Sequence, residues 1–407
     1  GLLTLAGALT YAELGAAFPE AGGQYVYLKH AYGPLVGFLF GWIVFLVYVT
    51  GGIAALAVGF AEYFSHFFPG LATDKFLFTA EFSVFKTSFQ YSFSYGQIVA
   101  IIVIVVISIF NYIGVGLGKS IQNIFTVVKI GIVLIFIILG LLIGKGTPGE
   151  IFFQPEGFSF SQMVMGFGIA LVAVSWAFDG WNNVNFVAGE IKKPERNLPL
   201  SLILGTVGIT ILYFLVNVVY CYAMPVGEMI GVVKIAEKTT YILFGGTAAG
   251  LVSAAIMISI LGSLNGSILT GPRVYYAMAK DKLFFKKVAS VHPRFHTPAF
   301  AIVIQCIWSC MLALSGTFEQ LITFVMVVSI MFWIAATAAV FALRKKYPNM
   351  PRPYKTWGYP IVPTLFIVVS TGILINALVE KPVESLAGLG ITILGIPIYY
   401  LWNKKGD

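Results

Sequence analysis

The most unusual chemistry in the sequence is concentrated in nine residues, Ser175-Trp176-Ala177-Phe178-Asp179-Gly180-Trp181-Asn182-Asn183. They lie in the middle of an apolar run, Met163–Ala188, that is long enough to cross a bilayer. A carboxylate beside a glycine, flanked by two tryptophans and followed by paired asparagines, makes a poor helix core for lipid. Unwound backbone at membrane depth persists only where it lines a cavity or is buried in protein. Broken helices of this kind aim free carbonyls and helix ends at a substrate near the membrane midplane. The pattern therefore marks Trp176, Ala177, Phe178 and Asp179 as candidate substrate-binding residues. The plainer reading is a kinked helix whose Asp179 is tied to a neighbouring polar group.

The second outlier is Lys129, in Thr126-Val127-Val128-Lys129-Ile130-Gly131-Ile132. A lysine at mid-span costs on the order of 3 kcal/mol to insert and must find carbonyls or a carboxylate. Two readings stand together: a gating or coupling cation, standing where coupling ions bind or carrying a proton, and a fixed charge that pins an unwound helix nearby. Glu13 and Glu62 lie near span ends and read as interfacial or bundle-facing carboxylates. Asn265 sits among small residues (Gly262, Ser263, Gly266, Ser267, Gly271) whose first role is close helix–helix contact. Its amide could also reach a central site.

The elements that position these residues are legible in composition. Of 407 residues, 58% are hydrophobic and 10% charged, against about 25% charged in soluble domains; the mean hydropathy is +0.90. Eleven apolar runs recur: Gly1–Ala17, Leu35–Phe60, Gln97–Ile113, Ile124–Ile143, Met163–Ala188, Leu198–Tyr222, Gly250–Thr270, Ala299–Leu314, Leu321–Leu343, Ile361–Val379 and Leu386–Trp402. None alternates with period two as a membrane barrel requires, so the fold class is an all-α integral membrane bundle. With Gly1 placed near the outer face, eighteen lysines and arginines fall in inside connections and six in outside ones, and Lys129 alone lies within a span. Cytoplasmic loops carry such an excess, which puts the C-terminus inside. The net charge of +8 is thus explained by topology and needs no nucleic-acid partner.

Cys221, Cys306 and Cys310 all lie in apolar runs, so no disulfide framework is expected. His30, His66, His292 and His296 are too scattered for a metal cluster. With neither a metal set nor a nucleophile–base pair in the spans, no metal, no cofactor and no enzyme activity is expected. The chain begins at Gly1 in mid-run, without a charged lead-in, which reads as a truncated N-terminus.

Several stretches resemble a known family. Tyr11-Ala12-Glu13-Leu14-Gly15-Ala16-Ala17-Phe18-Pro19, with Ala21-Gly22-Gly23-Gln24-Tyr25, is similar to the second helix and following inner loop of amino acid–polyamine–organocation transporters. Phe178-Asp179-Gly180-Trp181 through Gly189-Glu190-Ile191-Lys192-Lys193-Pro194-Glu195-Arg196-Asn197-Leu198-Pro199 resembles the broken sixth helix of the L-type amino acid transporter branch. Ser263-Leu264-Asn265-Gly266-Ser267 and the lysine of the fifth helix fit the same pattern. The likeness is strongest to bacterial serine/threonine or alanine/serine/cysteine exchangers.

The resemblance implies a leucine-transporter-like inverted repeat of twelve helices with the first one missing here. The first repeat would occupy 1–143, the second 163–344 with its break near 176–182, and two C-terminal helices 360–402. It implies that carbonyls around Trp176, Ala177 and Asp179 hold the substrate's amino group, with Trp176 as an aromatic gate. Trp333 matches an aromatic position close to the substrate, and Lys129 the gating or coupling position. Animal members join a glycoprotein through a cysteine that the loop Phe67–Ser94 lacks, so no covalent heavy-chain partner is expected.

The resulting expectation is a stand-alone plasma-membrane carrier, surrounded by lipid, that exchanges small neutral L-amino acids (alanine, serine, threonine, cysteine) without sodium by alternating access. Proton-coupled symport through Lys129, or exchange of cationic amino acids paired with Asp179, remain the alternatives.

Overall fold

The computed structural model describes residues 1–84, 87–144, 159–232, 234–315 and 318–403. Lys86, Lys145, Lys404 and Lys405, counted in the charge asymmetry above, lie outside them. Among the described residues, nine helices are long and apolar enough to cross a membrane, and two shorter apolar helices, Leu2–Ala17 and Ala299–Ser315, complete the eleven runs.

In chain order the helices are α1 (Leu2–Ala17), α2 (Gln24–Tyr32), α3 (Pro34–Ile43), α4 (Val49–Phe64), α5 (Tyr95–Ile113), α6 (Val115–Leu142), α7 (Phe160–Phe178), α8 (Pro194–Ala223), α9 (Ile235–Phe244), α10 (Gly246–Lys280), α11 (Ala299–Ser315), α12 (Phe318–Lys346), α13 (Ile361–Glu380) and α14 (Pro382–Asn403). Local sequence explains several boundaries. Ser94 and Gln97 close a capping box at the start of α5, and Ser159 and Gln162 do the same for α7, satisfying amide donors that helix formation leaves open. Pro34 opens α3, where a missing N–H costs nothing.

α3 and α4 form one span interrupted by a π-helical turn, Val44–Tyr48. Such turns widen the hydrogen-bond register and leave carbonyls short of partners. Here side chains fill in: Thr50 Oγ1 donates to the Phe45 carbonyl (2.7 Å), Trp308 Nε1 to Leu46 (2.9 Å) and the Tyr275 hydroxyl to Val44 (3.4 Å). This span is the centre of the molecule. α4 packs against α5, α10, α11 and α12, and its small residues (Gly51, Gly52, Ala54, Ala55, Ala57, Gly59, Ala61) are all buried, as close helix approach in a membrane requires.

One feature departs from the sequence reading. The loop Phe67–Ser94 contains an antiparallel hairpin, β1 (Phe76–Val84) on β2 (Thr87–Ser94). Its sequence does alternate apolar and polar residues (Phe76, Phe78, Ala80, Phe82, Val84 and Phe89, Tyr91, Phe93), but it lies between spans, outside the eleven apolar runs. The run Met163–Ala188 is broken, as its sequence predicts. α7 stops at Phe178, and a 3-10 helix, Asn183–Glu190, follows.

The connection after α1 packs directly on that 3-10 segment. The Gly22 amide donates to the Phe186 carbonyl at 3.0 Å. Gly23 adopts φ 49°, and a Cβ there would lie 2.8 Å from the Asn185 backbone. Only glycine allows both that conformation and that approach.

Candidate substrate site at the helix break

α7 ends because Asp179 leaves helical geometry (ψ 147°) and Gly180 takes φ 89°, a left-handed conformation suited to glycine. The Asp179 amide still donates to the Trp176 carbonyl (2.9 Å), and Trp181 N–H donates to Phe178 (3.3 Å). The chain then re-enters helical structure at Asn183. The break expected near 176–182 is therefore centred on Asp179–Asn182.

The carboxylate at this break is held. The Tyr48 hydroxyl, last residue of the π turn, donates to Asp179 Oδ1 at 2.9 Å and stands 3.4 Å from Asn182 Oδ1. Asn182 Nδ2 donates to Gln24 Oε1 (2.7 Å), and Gln24 Nε2 donates to the Tyr11 hydroxyl. Asn185 Nδ2 donates to the Asn182 carbonyl (2.9 Å) and its Oδ1 accepts from the Tyr27 hydroxyl (2.9 Å). Tyr11, Gln24, Tyr27, Asn182 and Asn185 are fully buried. Buried amides and hydroxyls are tolerated when paired in this way. One network thus ties α1, α2, the π turn and the broken helix together.

The aromatic residues close around it. Trp181 makes edge contacts with Tyr11 (4.7 Å between centroids), Trp333 (5.8 Å) and Phe366 (6.5 Å). Trp333 is buried, and its indole N–H has no hydrogen-bond partner among the described residues. The half-buried Trp176 packs between the main core and the cluster around Trp333, with its ring edge toward Gly52 of α4.

The remaining candidates are placed differently. Phe178 turns to α8, where its ring meets Tyr213 edge-on (5.1 Å). The Ala177 carbonyl accepts the Tyr213 hydroxyl (2.7 Å), which leaves it one lone pair for anything else. Asn265 is fully buried, and both ends of its amide are engaged: Asn111 Nδ2 donates to its Oδ1 (2.8 Å), and its Nδ2 donates to Gln122 Oε1 (3.0 Å). It joins α5, α6 and α10. Lys129 is half-buried on α6, which packs chiefly on α10 and α8; among the described residues no ion pair or hydrogen bond is formed by its ammonium.

Glu13 has the structural role its position suggests. Arg344 donates to it through Nε (2.9 Å) and Nη2 (2.7 Å), the Thr356 amide donates at 2.7 Å, and Arg352 Nε stands at 3.5 Å. Glu62 accepts from Thr73.

Tyr48, Tyr11, Gln24 and Tyr27 belong to the polar network, and reading the sequence did not single them out as site residues. Tyr11 and Gln24 at least fall in the motif stretches quoted above. Tyr48 is one tyrosine in an apolar run, 131 residues from its partner, and carries no local signal.

An amino acid permease family model matches residues 1–397. The chain belongs to that family. The permease is 31% identical over 408 residues to the serine/threonine exchanger SteT of Bacillus subtilis, covering all of this chain and 87% of that protein. It is 29% identical to the human large neutral amino acids transporter small subunit 2, over all of this chain and 73% of the relative. It is also 29% identical to the human b(0,+)-type amino acid transporter 1, over 99% and 78%. The permease is accordingly a multi-pass membrane protein of amino acid transport, in the L-type branch of the superfamily.

Proposed function

We propose that this permease exchanges small neutral L-amino acids such as serine, threonine, alanine and cysteine, by alternating access and without sodium. The observation that carries the reading is the pairing of Asp179 with Tyr48 at a helix break flanked in sequence by Trp176 and Trp181, with Trp333 against Trp181. The Tyr48 hydroxyl holds the Asp179 carboxylate as part of the break itself, and the bulk of three tryptophans around the break argues against a long cationic side chain. The substrate's own amino group would meet the carbonyls at the end of α7, as helix ends and unwound backbone do at charged groups in transporters. Trp176 closes over the substrate, and Trp333 bounds the other side. Serine/threonine exchange by the Bacillus relative points the same way.

The deciding experiment is uptake into proteoliposomes. Serine, threonine, alanine or cysteine inside should stimulate uptake of labelled serine without sodium, and arginine or lysine should compete poorly. Uptake that ignores internal substrate, or that requires sodium, overturns the reading. Proton symport is the second reading, and it rests on the Lys129 ammonium, which has no partner among the described residues. Serine accumulation driven by an inward proton gradient, with no internal substrate, would favour it.

The same reading extends to location and assembly. In a plasma membrane, the basic asymmetry of the connections supports a C-terminus in the cytoplasm. The absence of cysteine from Phe67–Ser94 supports a carrier without a covalently attached partner. Two inverted repeats, 1–143 and 163–344, would supply the alternating motion.

A further inference from the structure

The inner end of α10 carries a feature that transport chemistry does not use. The helix ends in a Schellman turn: the Leu283 amide donates to the Met278 carbonyl (2.9 Å) and the Lys282 amide to Ala279 (3.2 Å). The residue in the left-handed position of such a turn is usually glycine, yet here it is Lys282, with φ 61°. A side chain held in a conformation that L-residues avoid asks for a function. The turn tucks Leu283 and Phe284 into the core and leaves Lys280, Lys282, Phe285, Lys286 and Lys287 on the surface.

Charge and apolar surface coincide there. Four exposed lysines fall within eight residues. The single acid among them, Asp281, has one carboxylate oxygen occupied by Lys29 Nζ (2.6 Å) and the Tyr25 hydroxyl (2.6 Å), so its charge is already spoken for. Among the described residues, Lys282, Lys286 and Lys287 form no ion pair. Phe285 is 54% exposed and meets Trp402, at the end of α14, edge-on at 4.7 Å. Aromatic rings at span ends sit at the headgroup level of a bilayer, and clustered lysines beside a span attract anionic lipid.

We propose that the turn Lys280–Lys287 is a docking site for one anionic phospholipid of the inner leaflet. The lysines hold the headgroup phosphate, and Phe285 with Trp402 lies along the first part of the chains. Because Asp281 in the same turn anchors α2 through Lys29 and Tyr25, the bound lipid steadies the junction of α2 and α10. The proposal depends on the inside placement of this face and is independent of the substrate.

The test uses the purified protein in neutral detergent with phosphatidylglycerol and phosphatidylcholine, counting retained lipid by native mass spectrometry. Phosphatidylglycerol should be retained in preference, and the triple variant Lys282→Gln/Lys286→Gln/Lys287→Gln should weaken retention by roughly fivefold per lysine removed. Lys192→Gln/Lys193→Gln/Arg196→Gln removes as much charge from the same face and should leave retention nearly unchanged. Equal losses in both variants would reduce the site to general surface charge and overturn it. Lys282→Gly guards against a folding artefact, since it relieves the left-handed strain. It should raise the thermal midpoint in neutral detergent while weakening phosphatidylglycerol retention. Full retention by Lys282→Gly overturns the proposal. Displacement by glycerol phosphate at the concentration at which phosphatidylglycerol competes would also overturn it, because it would assign the site to free phosphate.

Discussion

The Tyr48 hydroxyl donates to Asp179 Oδ1 at 2.9 Å, joining the π turn between α3 and α4 to the break after α7. Two irregular backbone segments, each unfavourable alone at membrane depth, are thereby fastened to each other. The contact also decides what the carboxylate is free to do.

Tyr48→Phe removes a hydrogen bond to a charged acceptor, worth about 1.5–3 kcal/mol. Serine exchange should fall by at least roughly tenfold, and inhibition by arginine, expected to be weak in the parent protein, should strengthen as Asp179 loses its anchor. Asp179→Asn keeps an acceptor oxygen for Tyr48 and should lower rate more than selectivity. Competition uptake with serine and arginine checks all three. Potent arginine inhibition of the parent, abolished by Asp179→Asn, would refute the assignment to neutral substrates.

Trp176→Ala deletes the ring that packs from the end of α7 toward α4. Substrate binding through backbone carbonyls should survive within a fewfold, whereas turnover should drop by an order of magnitude or more, about 1.4 kcal/mol per factor of ten. Equilibrium binding of labelled serine compared with exchange rate separates the two. Equal losses would instead give Trp176 a direct binding or packing role.

Lys129→Ala should insert and purify as the parent does, because it removes a costly charge from mid-span, yet exchange should be strongly impaired. Yield, monodispersity and exchange rate are the measurements. Exchange at the parent rate would remove Lys129 from the mechanism.

Glu13→Gln leaves Arg344 and Arg352 facing a neutral amide at a buried position. Removing one partner of a buried ion cluster costs about 3 kcal/mol, reduced where an arginine can reach water. Arg344 is partly exposed, so the loss should fall below that figure but still lower the thermal midpoint in detergent by several degrees. Glu13→Asp should recover part of it. An unchanged midpoint for Glu13→Gln would show that the cluster is dispensable.

By itself the sequence determined the fold class, the apolar runs that become nine membrane-length and two shorter helices, and the location of the helix break, because each rests on local chemistry. Apolar run length is set by bilayer thickness. A carboxylate and a glycine in mid-span betray a broken helix wherever the rest of the chain lies. The structural character of Glu13 followed equally from its place at a span end.

Which residues gather at the break was decided only by the tertiary structure. Tyr48 reaches Asp179 because a π turn reorients it across 131 positions, and Gln24 reaches Asn182 because Gly23 admits the Asn185 backbone. Phe178, adjacent to Asp179, turns instead to Tyr213, and Asn265 is engaged by Asn111 and Gln122. A helix turns each successive side chain by about 100°, so neighbours in sequence face different surroundings. Only the packing of the other helices decides which of those surroundings holds the substrate.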